Sequence, residues 1–277
     1  MKSFSFIKIN GAGNDFVLID KKSNSGIVFT ASEIAKVCDR ANGIGADGVL
    51  LIDDSKETDF EMQYFNADGS TGSLCGNGAR CVIKYAELSK RIDSKQTKFS
   101  SGGQVYSGEL LSKDVIKFNL QKPTGIETNL TIKINEEKVP SHFADTGSPH
   151  LVINIDEILS NKYSLADFPV FEVGREIRNS FQYFPGGVNV NFIKFETDKI
   201  LIRSYERGVE AETLACGTGA VAAAIISNLI YKKNPPIKFI TKSNAELIVN
   251  FDVEKSSFKN VSLTGPVEIE FEGNYSI

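Results

Sequence analysis

The residues that most invite a chemical reading are Cys75 and Cys216, because each opens nearly the same short phrase, Cys75-Gly76-Asn77-Gly78-Ala79 and Cys216-Gly217-Thr218-Gly219-Ala220, which differ only at Asn77 and Thr218. A glycine-rich turn that ends a strand and opens a helix leaves several backbone N–H groups unpaired, and the positive end of the helix dipole adds to their pull. Such a terminus is a site for an anion, here a substrate carboxylate. A cysteine at the same terminus has its pKa drawn below the usual value of about 8.5, which raises its thiolate fraction. Both cysteines stand in polar, glycine-rich loops, where a core residue would find little to pack against. Two equivalent thiols in two facing halves point to a reaction that is itself nearly symmetric, in which a base removes a proton and an acid returns one to the opposite face. Stereoinversion at a carbon has that form.

Other chemistry for these residues fits less well. The remaining thiols, Cys38 in the run Ile34-Ala35-Lys36-Val37 and Cys81 on an apolar helix face, read as packing, the common fate of a small buried sulfur. No CxxC pair and no disulfide density is present, so the four cysteines are expected as thiols in a reducing cytoplasm. A cysteine hydrolase needs one thiol and a partner base; the chain has only His142 and His150, and the second cysteine phrase would be left over. The phosphate-cradling loop of cysteine phosphatases sets its arginine one position beyond Arg80, where this chain has Cys81. Gly43-Ile44-Gly45-Ala46-Asp47-Gly48 matches the dinucleotide fingerprint, but a helix-like run precedes it and the strand Val49-Leu50-Leu51-Ile52 follows, the reverse of what that motif needs. No ligand spacing for zinc is present, so no metal is assigned. No lysine carries a readable signature for pyridoxal phosphate, and the paired thiols make it unnecessary; no cofactor is assigned.

The elements that must position the cysteines are mostly strands. Short alternating runs such as Phe60 to Phe65, Val115 to Leu120 and Val267 to Phe271 recur between turn-forming clusters. Two helices stand out: Gly78 to Ser89, expected to be amphipathic, and Gly219 to Tyr231, apolar almost all round and expected to be deeply buried. A strand and polar loop precede each cysteine phrase, and further strands follow each helix. Even the openings rhyme, since Gly11 to Asp20 is echoed by Gly147 to Asp156. At 277 residues the chain is long for one core, and two topologically equivalent halves around a cleft follow from the repeat.

The bulk composition narrows the partners. With 41% hydrophobic and 24% charged residues, a formal net charge of -4 and both signs scattered, nothing favours nucleic acid or an anionic membrane. The amino terminus alternates apolar and polar residues and lacks a signal-peptide core, and the apolar stretch from Ala220 to Ile226 is interrupted by Ser227-Asn228, well short of a span. A cytoplasmic enzyme of a small molecule is the expectation.

With these residues in view, the sequence resembles diaminopimelate epimerase, a family that converts LL-diaminopimelate to the meso form on the route to lysine and peptidoglycan. The likeness runs over essentially the whole chain. Its most specific piece is Asn66-Ala67-Asp68-Gly69-Ser70 followed by Cys75-Gly76-Asn77-Gly78-Ala79-Arg80. Gly11 to Phe16, the glycine segment at 43–48, Phe184-Pro185 through Val188-Asn189, Tyr205 to Gly208 and Glu212 to Gly219 support it in family order.

The resemblance implies an α+β fold of two lobes related by pseudo-twofold symmetry, each a curved, mostly antiparallel sheet wrapped around a central helix, with the active site in the cleft. Its boundaries are expected at 1–120, joined by a C-terminal strand 265–277, and 121–264. It implies Cys75 and Cys216 as the two acid/base groups, His150 and Glu206 as groups that tune or orient them, and backbone amides of Gly76, Asn77, Gly217 and Thr218 as holders of the α-carboxylate. Asn14, Asn66, Asn189, Glu206 and Arg207 would recognise amino and carboxylate groups of a small amino-acid substrate, and dimers are known in the family. Two departures stand out: Ser148 replaces the family's usual asparagine before Pro149-His150, shortening an amide to a hydroxyl near the distal carboxylate, and the run Gly208 to Glu212 is longer than in many members.

Overall fold

The structure is a computed structural model that describes residues 2–72, 74–134, 136–158, 160, 162–180, 182–255 and 257–277. The chain divides into two compact units, residues 1–119 with 264–277, and residues 120–263. The first holds β1 (Ser3–Gly11), β2 (Asn14–Asp20), α1 (Ala31–Cys38), β3 (Gly48–Asp53), β4 (Phe60–Asn66), α2 (Gly76–Leu88), β5 (Gln96–Ser101), β6 (Gln104–Leu110) and β7 (Val115–Asn119). The second holds β8 (Thr124–Ile134), β9 (Glu137–Asp145), β10 (Pro149–Asn154), α3 (Val170–Arg178), β11 (Asn189–Phe195), β12 (Ile200–Glu206), β13 (Ala211–Thr213), α4 (Gly217–Tyr231), β14 (Ile237–Ile240) and β15 (Glu246–Glu254). β16 (Ser257–Pro266) leads back to the first unit, where β17 (Glu268–Ser276) ends the chain. The architecture is α+β, and no described helix is long and apolar enough to cross a membrane.

The same pairing scheme is written twice. In the first unit β1–β2 is antiparallel, β2–β3 parallel, β3–β4 antiparallel, β4–β5 parallel and β5–β6 antiparallel. In the second, β9–β10, β10–β11, β11–β12, β12–β14 and β14–β15 follow in the same order of senses, with the short β13 added beside β12. Each parallel pair needs a crossover. α1 and α3 serve the first crossover of each unit, and α2 and α4 the second. Even the outer strand has its counterpart: β8 pairs antiparallel with β9, and in the first unit β17 does so with β1.

The second crossover helix is the core of each unit. α2 lies against β1, β2, β3, β4, β6 and β7, and α4 against β9, β10, β11 and β15. α2 is amphipathic as expected, with Asn77, Arg80, Lys84 and Glu87 along one side and Ala79, Val82, Ile83 and Ala86 along the other, but six strands enclose it and bury it from Gly76 through Lys84 and again at Ala86, Arg80 and Lys84 of the polar side included. Lys84 bonds Glu87 one turn on at 2.7 Å, and Arg80 turns back toward the helix start, as described below. α4 is buried from Gly217 through Ser227, all but Thr218, and half-exposed over its last turn. Both helices begin two residues earlier than the sequence pattern places them, because glycines with poor helix propensity occupy the first turn of each.

α3 has no counterpart in the sequence reading. Val170, Val173, Gly174 and Ile177 form a short buried stripe on it. Gly174 is there for close approach: a Cβ on it would lie 2.5 Å from the Tyr205 Cβ of β12.

A buried ion pair ties α2 to the sheet of the first unit. Arg91, just past the helix, grips the Asp20 carboxylate through two bonds of 2.7 Å, and the Tyr85 hydroxyl donates to the same group at 2.9 Å. Burial alone would raise the Asp20 pKa, but the Arg91 guanidinium, the Lys22 amide and the Tyr85 hydroxyl outweigh it and hold the carboxyl below its ordinary value. Asp20→Asn leaves the Arg91 guanidinium with the exposed Asp54 at 3.2 Å as its carboxylate partner, and the expected loss is about 1.5–3 kcal/mol in chemical unfolding. Because the folded-state pKa is depressed, this stability is present above the ordinary carboxylate range and lost as pH falls below it. The variant should show a correspondingly flatter acid limb.

Candidate active site

The first cysteine sits where the strand β4 hands over to α2. Asn66 ends β4 and caps a tight turn: its amide nitrogen donates to Ser70 Oγ at 3.0 Å, and its carbonyl accepts the Gly69 N–H at 2.9 Å. Gly69 has φ +86°, and a Cβ there would lie 2.1 Å from the Ala31 carbonyl oxygen, so the turn requires glycine. Cys75 is half-buried and is the N-cap residue of α2, with its sulfur accepting the Gly78 N–H at 3.4 Å.

The first turn of α2 rests on a polar network. Asn77 donates to the Asn14 side-chain oxygen at 2.7 Å, and Asn14 donates in turn to Asp47 at 2.7 Å. Arg40 bridges Asp47 and Asp15, and Lys8 reaches both Asp15 and the Gly45 carbonyl. Burial pushes the Asp15 carboxyl up, but its bonds to Arg40 and Lys8 prevail and bring it down to about 2. The glycine segment at 43–48 therefore joins α1 to β3 and supplies Asp47 to this network. Arg80, fully buried, donates to Asn77 Oδ1 at 3.0 Å and to the Gly76 carbonyl at 3.4 Å, while its Nε has no partner. Desolvation lowers the Arg80 pKa to about 10.

Cys216 holds the N-cap position of α4 in the second unit, without the sulfur-to-amide cap bond that Cys75 makes, and it is itself buried, with 6% of its surface exposed. That corrects the reading of its loop as a place with little to pack against. Its sulfur lies 3.7 Å from Thr218 Oγ1. The Thr218 carbonyl accepts the Thr146 hydroxyl at 2.9 Å, which fixes the first turn of the helix. His150, fully buried on β10, places Nε2 at 2.9 Å from both Thr218 Oγ1 and Ser148 Oγ. Ser148 thus has a partner within its own strand end.

Two strands carry the remaining groups of the second unit. Asn189 at the start of β11 donates to the Pro149 carbonyl and accepts the Arg207 backbone N–H, both at 2.9 Å. Its amide braces backbone on both sides. Glu206 ends β12 and accepts the Thr213 hydroxyl of β13. Arg207 follows it, exposed, with a guanidinium bond to the Gly186 carbonyl at 3.0 Å. Two residues beyond Asn189 and so on the same face of the strand, Asn191 is fully buried against His150. The sequence reading missed Asn191 and did not use Arg80; the available signal was an asparagine and an arginine inside otherwise apolar elements.

Burial drives the His150 pKa down to about 3, and the Arg207 charge adds to the effect. The imidazole is therefore neutral across the physiological range. The sign of the linkage follows: stability is complete above the ordinary imidazole value of 6.5 and is lost as pH falls from there toward about 3, where the unfolded chain binds the proton and the folded chain does not. His150→Gln should flatten this part of the stability profile in thermal unfolding between those limits. The other thiols behave differently. Cys38 is pushed up to about 12 by burial, and Cys81 is raised further for the same reason, so both are protonated packing residues. Among the described residues no group of three or more His, Cys, Asp or Glu is placed to hold a metal ion.

Several solved structures share this fold over nearly the whole chain. They include a probable proline racemase from Agrobacterium radiobacter K84 (TM-score 0.75, 12% identity, 99% of this chain and 92% of that one) and a hydroxyproline epimerase from Agrobacterium vitis (TM-score 0.76, 12% identity, the same coverage). The fold is thus that of the α+β class to which those racemases and epimerases belong. Within that class, the family model for diaminopimelate epimerase matches residues 6–120 and 142–271. The diaminopimelate epimerase of Aquifex aeolicus (strain VF5) is 37% identical, with 98% of this chain and 97% of that protein covered. That of Methanocella arvoryzae (strain DSM 22066 / NBRC 105507 / MRE50) is 32% identical, with 100% and 98% covered. The chain belongs to the diaminopimelate epimerase family.

Proposed function

We propose that the chain inverts one α-carbon of LL-2,6-diaminopimelate to give the meso isomer, with Cys75 and Cys216 as the two acid/base groups. The observation that carries this reading is the repeated N-cap cysteine. Each unit ends a strand, opens its central helix on a cysteine and follows it with a glycine-rich first turn, the end of a helix that favours an anion. The reaction requires the two thiols to address one substrate carbon from opposite faces. One cysteine as thiolate takes the α-proton, and the other as thiol delivers a proton to the opposite face. The roles reverse for the return direction.

The weakly acidic α-proton is the difficulty, and fixed N–H dipoles aimed at the α-carboxylate meet it as charge spreads onto that group. In this reading the amides of Gly76 and Asn77 and of Gly217 and Thr218 supply them. Exclusion of water from the site would strengthen every such interaction. Arg207, with its exposed fork, suits the distal carboxylate, and Glu206 suits the distal ammonium. Asn14, Asn66 and Asn189 shape the same recognition. Because the side chains of Asn14, Asn77 and Asn189 already bond within the protein, we assign them to holding loops and backbone around the substrate at least as much as to touching it.

Incubation of the reduced protein with LL-diaminopimelate in deuterium oxide, without added cofactor, tests the reading by NMR. The expected result is α-deuterium incorporation with appearance of the meso isomer, both lost on alkylation of the thiols. Absence of both signals, with the thiols shown to be free, would overturn the substrate assignment.

A further inference from the structure

The hydrogen bonds around His150 assign its tautomer. The Asn191 side-chain nitrogen donates to the Leu151 carbonyl at 3.0 Å, an atom that only accepts, and its oxygen accepts the Ser204 hydroxyl at 2.8 Å. The orientation of that amide is therefore fixed. The same nitrogen lies 3.2 Å from His150 Nδ1, which must then be the unprotonated acceptor of the ring. In a neutral imidazole the hydrogen is left on Nε2, which faces the Thr218 and Ser148 hydroxyl oxygens. The one Nε2 hydrogen is shared between these two oxygens at 2.9 Å, and where it is donated to Thr218 that hydroxyl has its own hydrogen free to point at the Cys216 sulfur 3.7 Å away.

We propose that Asn191 is a positioning residue that locks His150 as the neutral Nε2–H tautomer, so that His150 serves Cys216 as a hydrogen-bond donor relayed by the Thr218 hydroxyl and not as its base. The relay favours the thiolate of Cys216 by donating toward it. It also explains why a fully buried asparagine, bonded through both its side-chain nitrogen and oxygen, stands in the middle of a largely apolar strand. In the first unit the sulfur of Cys75 takes a backbone N–H directly, and the buried cation nearby is Arg80. The two thiols are thus set up by different means within one repeated frame. The inference rests on the reading of Cys216 as an acid/base group, but its first test does not.

The chain contains only two histidines, so 15N-labelling of histidine gives a spectrum that a His142→Gln variant assigns at once. Wild-type His150 is expected to show a protonated, pyrrole-type Nε2 and an unprotonated Nδ1 throughout the neutral range. A protonated Nδ1 would overturn the proposal without any assay of activity. Asn191→Asp replaces the donor facing Nδ1 with an acceptor and is expected to move the proton to Nδ1. Thr218→Val keeps the backbone amide and the tautomer but removes the relay; the pH at which Cys216 is half-alkylated by iodoacetamide should rise by about one unit, a tenfold smaller thiolate fraction at neutral pH. An unchanged alkylation profile in folded Thr218→Val would overturn the relay. Should the tautomer and profile behave as expected while diaminopimelate is not turned over, the relay stands and the substrate reading fails.

Discussion

Replacing Cys75 or Cys216 with alanine is expected to reduce inversion by about two to four orders of magnitude, the range a positioned acid or base contributes. The two losses should differ in kind from a general weakening. A protein with a single thiol has a base on one face only, so a proton that it removes can return only from that face. Residual α-deuterium exchange should therefore exceed residual inversion in each variant, and substrate KM should change little, because the backbone amides proposed to hold the carboxylate remain. Cys75→Ser and Cys216→Ser keep a hydroxyl in place and should retain more activity than alanine, although far less than the thiol. Measured side by side in deuterium oxide, comparable inversion by both alanine variants and the wild type would remove the two-thiol mechanism.

Gly219→Ala is expected to be nearly as damaging, whereas the equivalent change in the other unit, Gly78→Ala, is expected to be mild. Neither glycine has a positive φ, so backbone strain is not the issue. At Gly219 a Cβ would lie 2.2 Å from Asn191 Oδ1 and 3.1 Å from Cys216 Sγ. Asn191 cannot yield easily, because its amide is bonded to Ser204, Leu151 and His150. Overpacking of this kind costs about 1–3 kcal/mol. The displacement it forces falls on the Cys216 turn, where an error of about 1 Å can cost on the order of 100-fold in rate. At Gly78 the nearest atom is Leu50 Cδ2 at 2.9 Å, the far end of a side chain that can turn aside. Thermal unfolding and turnover for the pair check the contrast, and equal effects at the two positions would contradict it.

Much of this arrangement was legible in the sequence because it is carried by local signals. A five-residue phrase written twice, with one change, located two helix starts, and the alternating runs located the strands around them. The reading of 43–48 as a helix-to-strand connection, not a dinucleotide loop, followed from the order of its neighbours, and the structure places it between α1 and β3. What the sequence did not carry was set by tertiary enclosure. α2 shows an apolar stripe, yet six strands bury its polar face as well. Arg80 therefore became a buried cation where a solvated one was the natural reading. α3 is short, with its stripe split by glycine, and it is stabilised by packing on Tyr205 rather than by propensity. Asn191 carries no motif at all. Its significance lies in three bonds to residues far along the chain, which no spacing rule reports.

The strand β17 has a bearing on the life of the chain before it ever meets substrate. It fills in the first unit the place that β8 fills in the second, with Phe4 and Phe6 of β1 packed edge-on against Tyr275 and Phe271, and Lys2 and Ile277 exchanging backbone bonds at 3.0 and 2.9 Å. Residues 120–263, by contrast, are contiguous. During synthesis the usual order in which the amino-terminal part folds first is therefore reversed. The later-made unit holds all its strands while the earlier-made one still waits for its last. Until β17 has been made, the side of β1 away from β2 is an open edge exposed to pairing with other chains. Nascent chains stalled short of residue 268 should be protected from protease in the second half and cut in the first. Linking residues 2 and 277 and opening the chain at the exposed loop around residue 122 would give a permuted protein whose halves are each made in one piece.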